Sequence, residues 1–231
     1  MSKYTHIFFD LDHTLWDFEK NSEETLLHLF DQNGLHRHGI GESATFVSLY
    51  REINVRMWEQ YHRGEIRKEH LRTQRFVEAL TTMGFPETLI PGRMWEQYLQ
   101  ICPTKTALMP GAMETLVYLK EKYSISIITN GFEGTQQMKV KHSGLDKFID
   151  HILTSEKAGF QKPESGIFSR LLELNGAEAR QTLMVGDNLE ADIAGAKNAG
   201  IDQVWFNPEQ QRGALAPTFE IRGLSELQAL L

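Results

Sequence analysis

Two aspartates close the apolar run IFFDLD, Asp10 and Asp12, and Thr14 follows them. Further along, ITNG carries Thr129 and Asn130, QKP carries Lys162, and GDNLEAD carries Asp187, Asn188 and Asp192. If the fold gathers these residues, one place holds several carboxylates, one ammonium, and small hydroxyl and amide groups. Bare carboxylates do not gather freely, because two unit charges about 4 Å apart repel by about 4 kcal/mol at an effective dielectric near 20. Either one carboxyl keeps a proton or a cation sits between them. An oxygen donor set without a His/Cys cluster favours magnesium over zinc. Backbone N–H groups of loops and helix starts near Thr129, Asn130 and Lys162 could receive phosphate oxygens.

What would bring them together is a parallel sheet. SISIITN (124–130), HILTSE (151–156), TLMVGD (182–187) and QVWFN (203–207) are short runs rich in Ile, Leu and Val that end in polar residues or Gly. Helix-like segments separate them. PGAMETLVYLKEKY places Met113, Leu116, Val117 and Leu119 at helical spacing. PESGIFSRLLELNG opens on Pro163 and closes at Gly176, and LEADIAGAKNAG closes at Gly200. Alternation of this kind predicts parallel strands joined by crossover helices. Ligands of such sheets bind beyond the carboxyl ends of the strands, where the residues above fall.

IFFDLD is the first strand of this system, yet residues 17 to about 104 contain no comparable strand. SEETLLHLFDQNG reads as a helix capped by Asn21 or Ser22 and stopped by Gly34. SATFVSLYREINVRMWEQYHRG, RKEHLRTQRFVEALTTMG and ETLIPGRMWEQYLQI read as three more, the last interrupted at Pro91-Gly92. The expected layout is an α/β core of residues 1–15 and 106–231, a Rossmann-like parallel sheet with helices on both faces. An all-helical module of residues 16–105 is inserted after its first strand.

The chain has 231 residues, enough for a sizeable core, and its apolar and charged fractions of 41% and 24% are those of an ordinary globular protein. A formal net charge of -7 argues against nucleic-acid polymers and anionic membranes as partners. No apolar run approaches the roughly 20 residues of a membrane span. MSKYTHIFF lacks the features of a signal peptide, so a cytoplasmic location is expected. The single cysteine, Cys102, is expected to be a packed small hydrophobe. His36 and His38 fall in a polar turn, and the aromatic residues Trp58, Tyr61, Trp95 and Tyr98 sit at helical spacing, which most often means core.

DLDHT, ITNG, QKP and GDNLEAD, in this order and spacing, closely resemble the four motifs of the haloacid dehalogenase superfamily of hydrolases. The helical insert after the first motif resembles that family's type 1 cap. The resemblance implies a magnesium-dependent phosphatase of small phosphorylated metabolites. Asp10 would be the nucleophile that forms an aspartyl-phosphate, and Asp12 the general acid/base. Magnesium would be held by Asp10, Asp187 and the backbone carbonyl of Asp12. Thr129 and Asn130 would bind phosphate, and Lys162 would neutralise developing charge. Thr14 would brace the loop, and Asp192 would partner Lys162 or metal-bound water. Asn188 departs from relatives that carry a second acidic residue there, which places more weight on Asp187. An aspartate at position 12 separates this chain from the dehalogenases, whose substrates need no proton delivered to an alkoxide.

TLWDFEKNSEETLLHLF resembles the matching region of bacterial pyrimidine nucleotidases of the family. This makes 5′-nucleoside monophosphates the leading expected substrates. The alternatives are a sugar-phosphate phosphatase, a phosphomutase on the same core, or a non-catalytic sensor of phosphorylated ligands.

Overall fold

The computed structural model describes residues 3–231, which divide into two compact units, residues 3–18 with 103–231, and residues 19–102. The first unit is built on a parallel six-stranded sheet. Its strands are β1 (His6–Phe9), β2 (Ser124–Thr129), β3 (His151–Thr154), β4 (Thr182–Gly186), β5 (Asp202–Phe206) and β6 (Phe219–Ile221). Their order across the sheet is β3-β2-β1-β4-β5-β6. The central strand β1 pairs with β2 and with β4, so that Phe9 lies opposite both Ile127 and Val185.

Alternation along the strands explains why the sheet is covered on both faces. Phe8, Ile128 and Met184 share a buried cluster with Ile167, Phe168 and Leu171. The residues of opposite parity, Ile7, Phe9, Ile125, Ile127, Leu183 and Val185, are equally buried. The covering helices of this unit include α5 (Ala112–Lys120), α6 (Glu133–His142), α7 (Ser155–Ala158), α8 (Ser165–Asn175), α9 (Gly195–Asn198) and α10 (Leu227–Leu230). A six-residue π-type segment, Leu189–Ala194, runs directly into α9.

The second unit carries α1 (Phe18–Gln32) from its second residue on, α2 (Ser43–His62), α3 (Lys68–Thr82) and α4 (Met94–Ile101). Its interior is aromatic, with Phe30, Phe46, Tyr50, Phe76 and Tyr98 all buried. Arg75 is buried there too, donating to Asn54 at 2.6 Å and lying 5.5 Å from the centre of the Tyr50 ring. Of the aromatic residues picked from helical spacing, Tyr98 is core, whereas Trp58, Tyr61 and Trp95 are half-buried. His36 and His38 are exposed in a short 3-10 turn, and Cys102 is buried.

The structure corrects several boundaries. Helix α1 begins at Phe18, so Asn21 and Ser22 lie within it rather than at its cap, both buried, with the Ser22 hydroxyl 2.8 Å from that of Tyr98. The residues Trp16 to Phe18 and 103–105 belong to the sheet-bearing unit rather than to the insert. The cause is a backbone ladder that continues past β1: Asp17 N–H donates to Ala107 at 3.1 Å and Met109 N–H to Leu15 at 2.9 Å.

Candidate active site

The carboxyl end of β1 is the focus of the site, because β1 is central and its neighbours β2 and β4 end beside it. Asp10 follows β1 immediately, and its N–H is fixed by the Val185 carbonyl at 2.9 Å. The loop then turns sharply. His13 adopts a left-handed φ of 63°, its N–H reaches the Trp16 carbonyl at 3.0 Å, and Trp16 N–H returns to Leu11 at 2.8 Å. A left-handed non-glycine residue beside a charged cluster is the kind of local strain that functional sites hold.

Two ion-pair systems stand on this frame. In the first, the Lys162 ammonium lies between Asp10 Oδ1 and Asp192 Oδ1, the latter at 2.6 Å. All three side chains are nearly or fully buried. The Asn130 side chain holds the Lys162 backbone from both sides, accepting from its N–H at 2.8 Å and donating to its carbonyl at 2.9 Å. Asp192 is pinned further by the N–H of Asn188 at 3.0 Å. Gly186 leaves room for it, since a Cβ there would sit 2.3 Å from Asp192 Oδ2. The Asn188 side chain instead caps the following segment, accepting from Glu190 and Ala191 at 3.0 and 2.8 Å.

In the second system, Asp12 is held by Lys139 at 2.6 and 2.9 Å and by the Gln136 amide at 2.9 Å. The same Gln136 amide donates to the Thr129 hydroxyl at 2.7 Å, and Gly131 N–H reaches that hydroxyl at 3.1 Å. With both lone pairs engaged, Thr129 keeps its own hydrogen to donate. Thr14 donates to Asp187 at 3.1 Å, and the Trp205 indole donates to the Asp187 carbonyl at 2.9 Å.

The electrostatics divide the carboxylates into two kinds. Burial pushes Asp10 well above the ordinary carboxylate range; Lys162 opposes this and the charges of Asp192 and Asp187 add to it. Asp187 is pushed up to about 6, again by burial first and then by Asp192. Burial acts on Asp12 in the same sense, but Lys139 and Gln136 together outweigh it and hold Asp12 below the usual range. Lys162 is held protonated against burial by Asp10 and Asp192.

Asp10, Asp187 and Asp192 each offer a carboxylate oxygen, all within 4.8 Å of one another. One ammonium serves this cluster, so negative charge is in surplus, and the charge of Asp192 adds to burial in pushing Asp187 upward. The donor set is oxygen only and partly buried, which fits a hard divalent cation such as magnesium. Asp192 already engages Lys162 and Asn188 with its two oxygens, so Asp10 and Asp187 are the carboxylates with capacity left.

The structure thus brings Asp10, Asp12, Thr14, Thr129, Asn130, Lys162, Asp187, Asn188 and Asp192 to one sheet edge. Sequence reasoning missed Gln136 and Lys139 on α6. Their spacing of three puts both on one helix face, which is legible only once that face is known to be buried.

The chain matches the model of the haloacid dehalogenase-like hydrolase family over residues 4–200. It is 33% identical to the pyrimidine 5′-nucleotidase YjjG of Escherichia coli, over 99% of this chain and 98% of that protein. It is also 33% identical to the glyceraldehyde 3-phosphate phosphatase of Pyrococcus abyssi, over 87% of this chain and 80% of that one. Among solved structures, that of the magnesium-bound Bacillus subtilis protein YfnB, described as a HAD-hydrolase, superposes with a TM-score of 0.86 at 30% identity, with 99% of each chain covered. The chain belongs to the haloacid dehalogenase-like hydrolases and is an enzyme of that family. No helix among the described residues is long and apolar enough to cross a membrane.

Proposed function

We propose that the protein is a magnesium-dependent phosphatase of small phosphomonoesters that works through an aspartyl-phosphate on Asp10, with 5′-nucleoside monophosphates as its leading substrates. The observation that carries the reading is Asp10 itself. It stands at the end of the central strand with one oxygen held by a buried lysine and the other without a partner among the described residues. That oxygen, Oδ2, attacks phosphorus, leaving Oδ1, whose second lone pair is open, for the cation, and the bond from phosphorus to the leaving oxygen breaks. Asp12, which takes up a proton as the anionic substrate binds, delivers it to that oxygen, so the alcohol departs neutral. Water then attacks the phospho-Asp10 as Asp12 takes its proton, the Asp10–phosphorus bond breaks, and inorganic phosphate leaves. Lys139 keeps Asp12 ionised in the resting site, which is its state for the second half of the reaction.

Thr129, with its spare hydroxyl hydrogen, donates to a phosphoryl oxygen, and the Asn130 side chain fixes the loop from which Lys162 meets the developing charge. Magnesium held by Asp10, Asp187 and the Asp12 backbone carbonyl would supply positive charge that shields an anionic substrate from an anionic nucleophile. Support for nucleotides comes from the 33% identity to YjjG over almost the whole of both chains. The equally identical glyceraldehyde 3-phosphate phosphatase supports a second reading, a sugar-phosphate phosphatase.

The test is phosphate release from a panel of nucleoside monophosphates and sugar phosphates, with magnesium and with chelator, beside Asp10→Asn. Magnesium-dependent release that Asp10→Asn loses while staying folded is the expected result. Activity on sugar phosphates with none on nucleotides would select the second reading. Full activity in Asp10→Asn would remove the nucleophile.

A further inference from the structure

Asp12 is a carboxylate on a loop tip, and loop side chains do not aim themselves. Three hydrogen bonds from α6 aim this one: two from the Lys139 ammonium and one from the Gln136 amide. Both donors are buried, Lys139 with 5% and Gln136 with 0% of its surface exposed. Each is itself fixed from another side. The Lys139 ammonium lies 4.5 Å from the centre of the Trp16 ring and 5.6 Å from that of Phe18. Gln136 also binds Thr129, and its amide fills the space above Gly131, where a Cβ would come within 2.4 Å of it. The orientation of the Gln136 amide is not arbitrary. A carboxylate only accepts, so the nitrogen must face Asp12.

Burying a lysine under a helix is an uneconomical way to pack it, because an apolar side chain there would avoid the desolvation cost. Geometry gives the lysine a use that an apolar side chain lacks. We propose that Lys139 and Gln136 are positioning residues, which together hold the Asp12 carboxylate where it exchanges a proton first with the leaving-group oxygen and then with water. The proposal rests on the reading of Asp12 as the acid/base and extends it to residues outside the four motifs.

The experiment compares phenyl phosphate with 4-nitrophenyl phosphate in magnesium, using the full-length chain. The two esters have nearly the same shape, but nitrophenolate leaves without being protonated. The measured quantity is kcat/KM, which reports steps up to release of the leaving group. Lys139→Met is expected to lower it by roughly 100-fold for phenyl phosphate and by less than about tenfold for 4-nitrophenyl phosphate, within the range that acid–base catalysis spans. Lys139→Arg, which keeps a charged donor pair, recovers most of the loss. Gln136→Met, which leaves the ion pair in place, shows the same split at smaller amplitude.

Equal losses on both esters, a loss carried by KM alone, or no loss in Lys139→Met overturns the proposal. If Lys139→Met proves unfolded by circular dichroism, Gln136→Met decides by the same criterion. Asp12→Asn, measured alongside, separates the two levels. An Asp12→Asn variant without a leaving-group split removes the acid/base reading itself, whereas a split in Asp12→Asn that Lys139→Met and Gln136→Met lack removes only the positioning.

Discussion

The Lys162 cluster allows a prediction whose size follows from burial. The Lys162 side chain is 3% exposed and bridges Asp10 and Asp192, which are 10% and 1% exposed. Removing one member of a buried pair leaves the other charge without compensation, at a cost of about 3–5 kcal/mol. Lys162→Met strands two carboxylates, so its loss is expected at the upper end of that range. Asp192→Asn removes one of the stranded charges. In the Lys162→Met background it should therefore be neutral or stabilising, although in the wild type it costs about 1–3 kcal/mol through its lost hydrogen bonds. The coupling between the two substitutions should reach about 2–3 kcal/mol.

Urea denaturation of the four proteins at pH 7 in chelator measures this, provided the slope with denaturant stays constant. Direction with pH provides an independent check. The Lys162 pKa is raised in the folded protein, so its stabilisation is complete below the pKa of an unfolded lysine and is lost only as pH rises through the folded value. At pH 7 it is fully present. The deficit of Lys162→Met should then shrink as pH falls toward 4 and the stranded carboxylates gain protons. Additivity within about 0.5 kcal/mol, or a deficit independent of pH, would refute the account.

Further outcomes are expected elsewhere in the site. Asp187 titrates near 6 when folded, above an unfolded aspartate near 4, so in chelator its contribution to stability declines as pH rises from about 4 to about 6. Magnesium should accordingly raise the melting temperature more at pH 7.5 than at pH 5, and Asp187→Asn should flatten that difference. A Cβ at position 186 would lie 2.3 Å from Asp192 Oδ2. Gly186→Ala should therefore cost about 1–3 kcal/mol in denaturation and disturb the Lys162 clamp, measured as a fall in kcat. His13 holds a φ of 63°, so His13→Gly should leave stability intact or raise it. His13→Val should lose about 1 kcal/mol or more, and calorimetry of the two variants decides.

Much of the site was legible because its residues sit where strands stop. An apolar run that breaks into Asp10-Leu11-Asp12 or Gly186-Asp187 marks a strand end, and parallel pairing puts such ends on one edge. Lys162 and Asp192 were within reach for the same reason, one in a loop and one just beyond a strand. Gln136 and Lys139 escaped because α6, EGTQQMKVKH, buries Gln136, Lys139 and Val140. Periodicity detects a buried face by its apolar side chains, and this face is largely polar. Strand β6 escaped for a different reason. Phe219–Ile221 is three residues long, too short for alternation to stand out from the preceding Gly- and Pro-containing stretch. The start of α1 was missed because good capping residues, Asn21 and Ser22, lie inside the helix, where burial selected them instead.

The stitch beyond β1 has a consequence for how this chain tolerates change. Leu15 and Asp17 on the outgoing side are hydrogen-bonded to Met109 and Ala107 on the returning side, and the Trp16 indole donates to the Lys105 carbonyl at 3.1 Å. Departure and return therefore share one doorway, closed by the sheet-bearing unit's own backbone. The distance between the two door-posts is set without reference to what lies between them. Whatever segment is threaded there begins and ends at neighbouring points, so exchanging it for a shorter or longer one changes the closure entropy only slowly with length. Exchanging the insert leaves the hydrogen bonds of the doorway in place, which makes the insert a replaceable part.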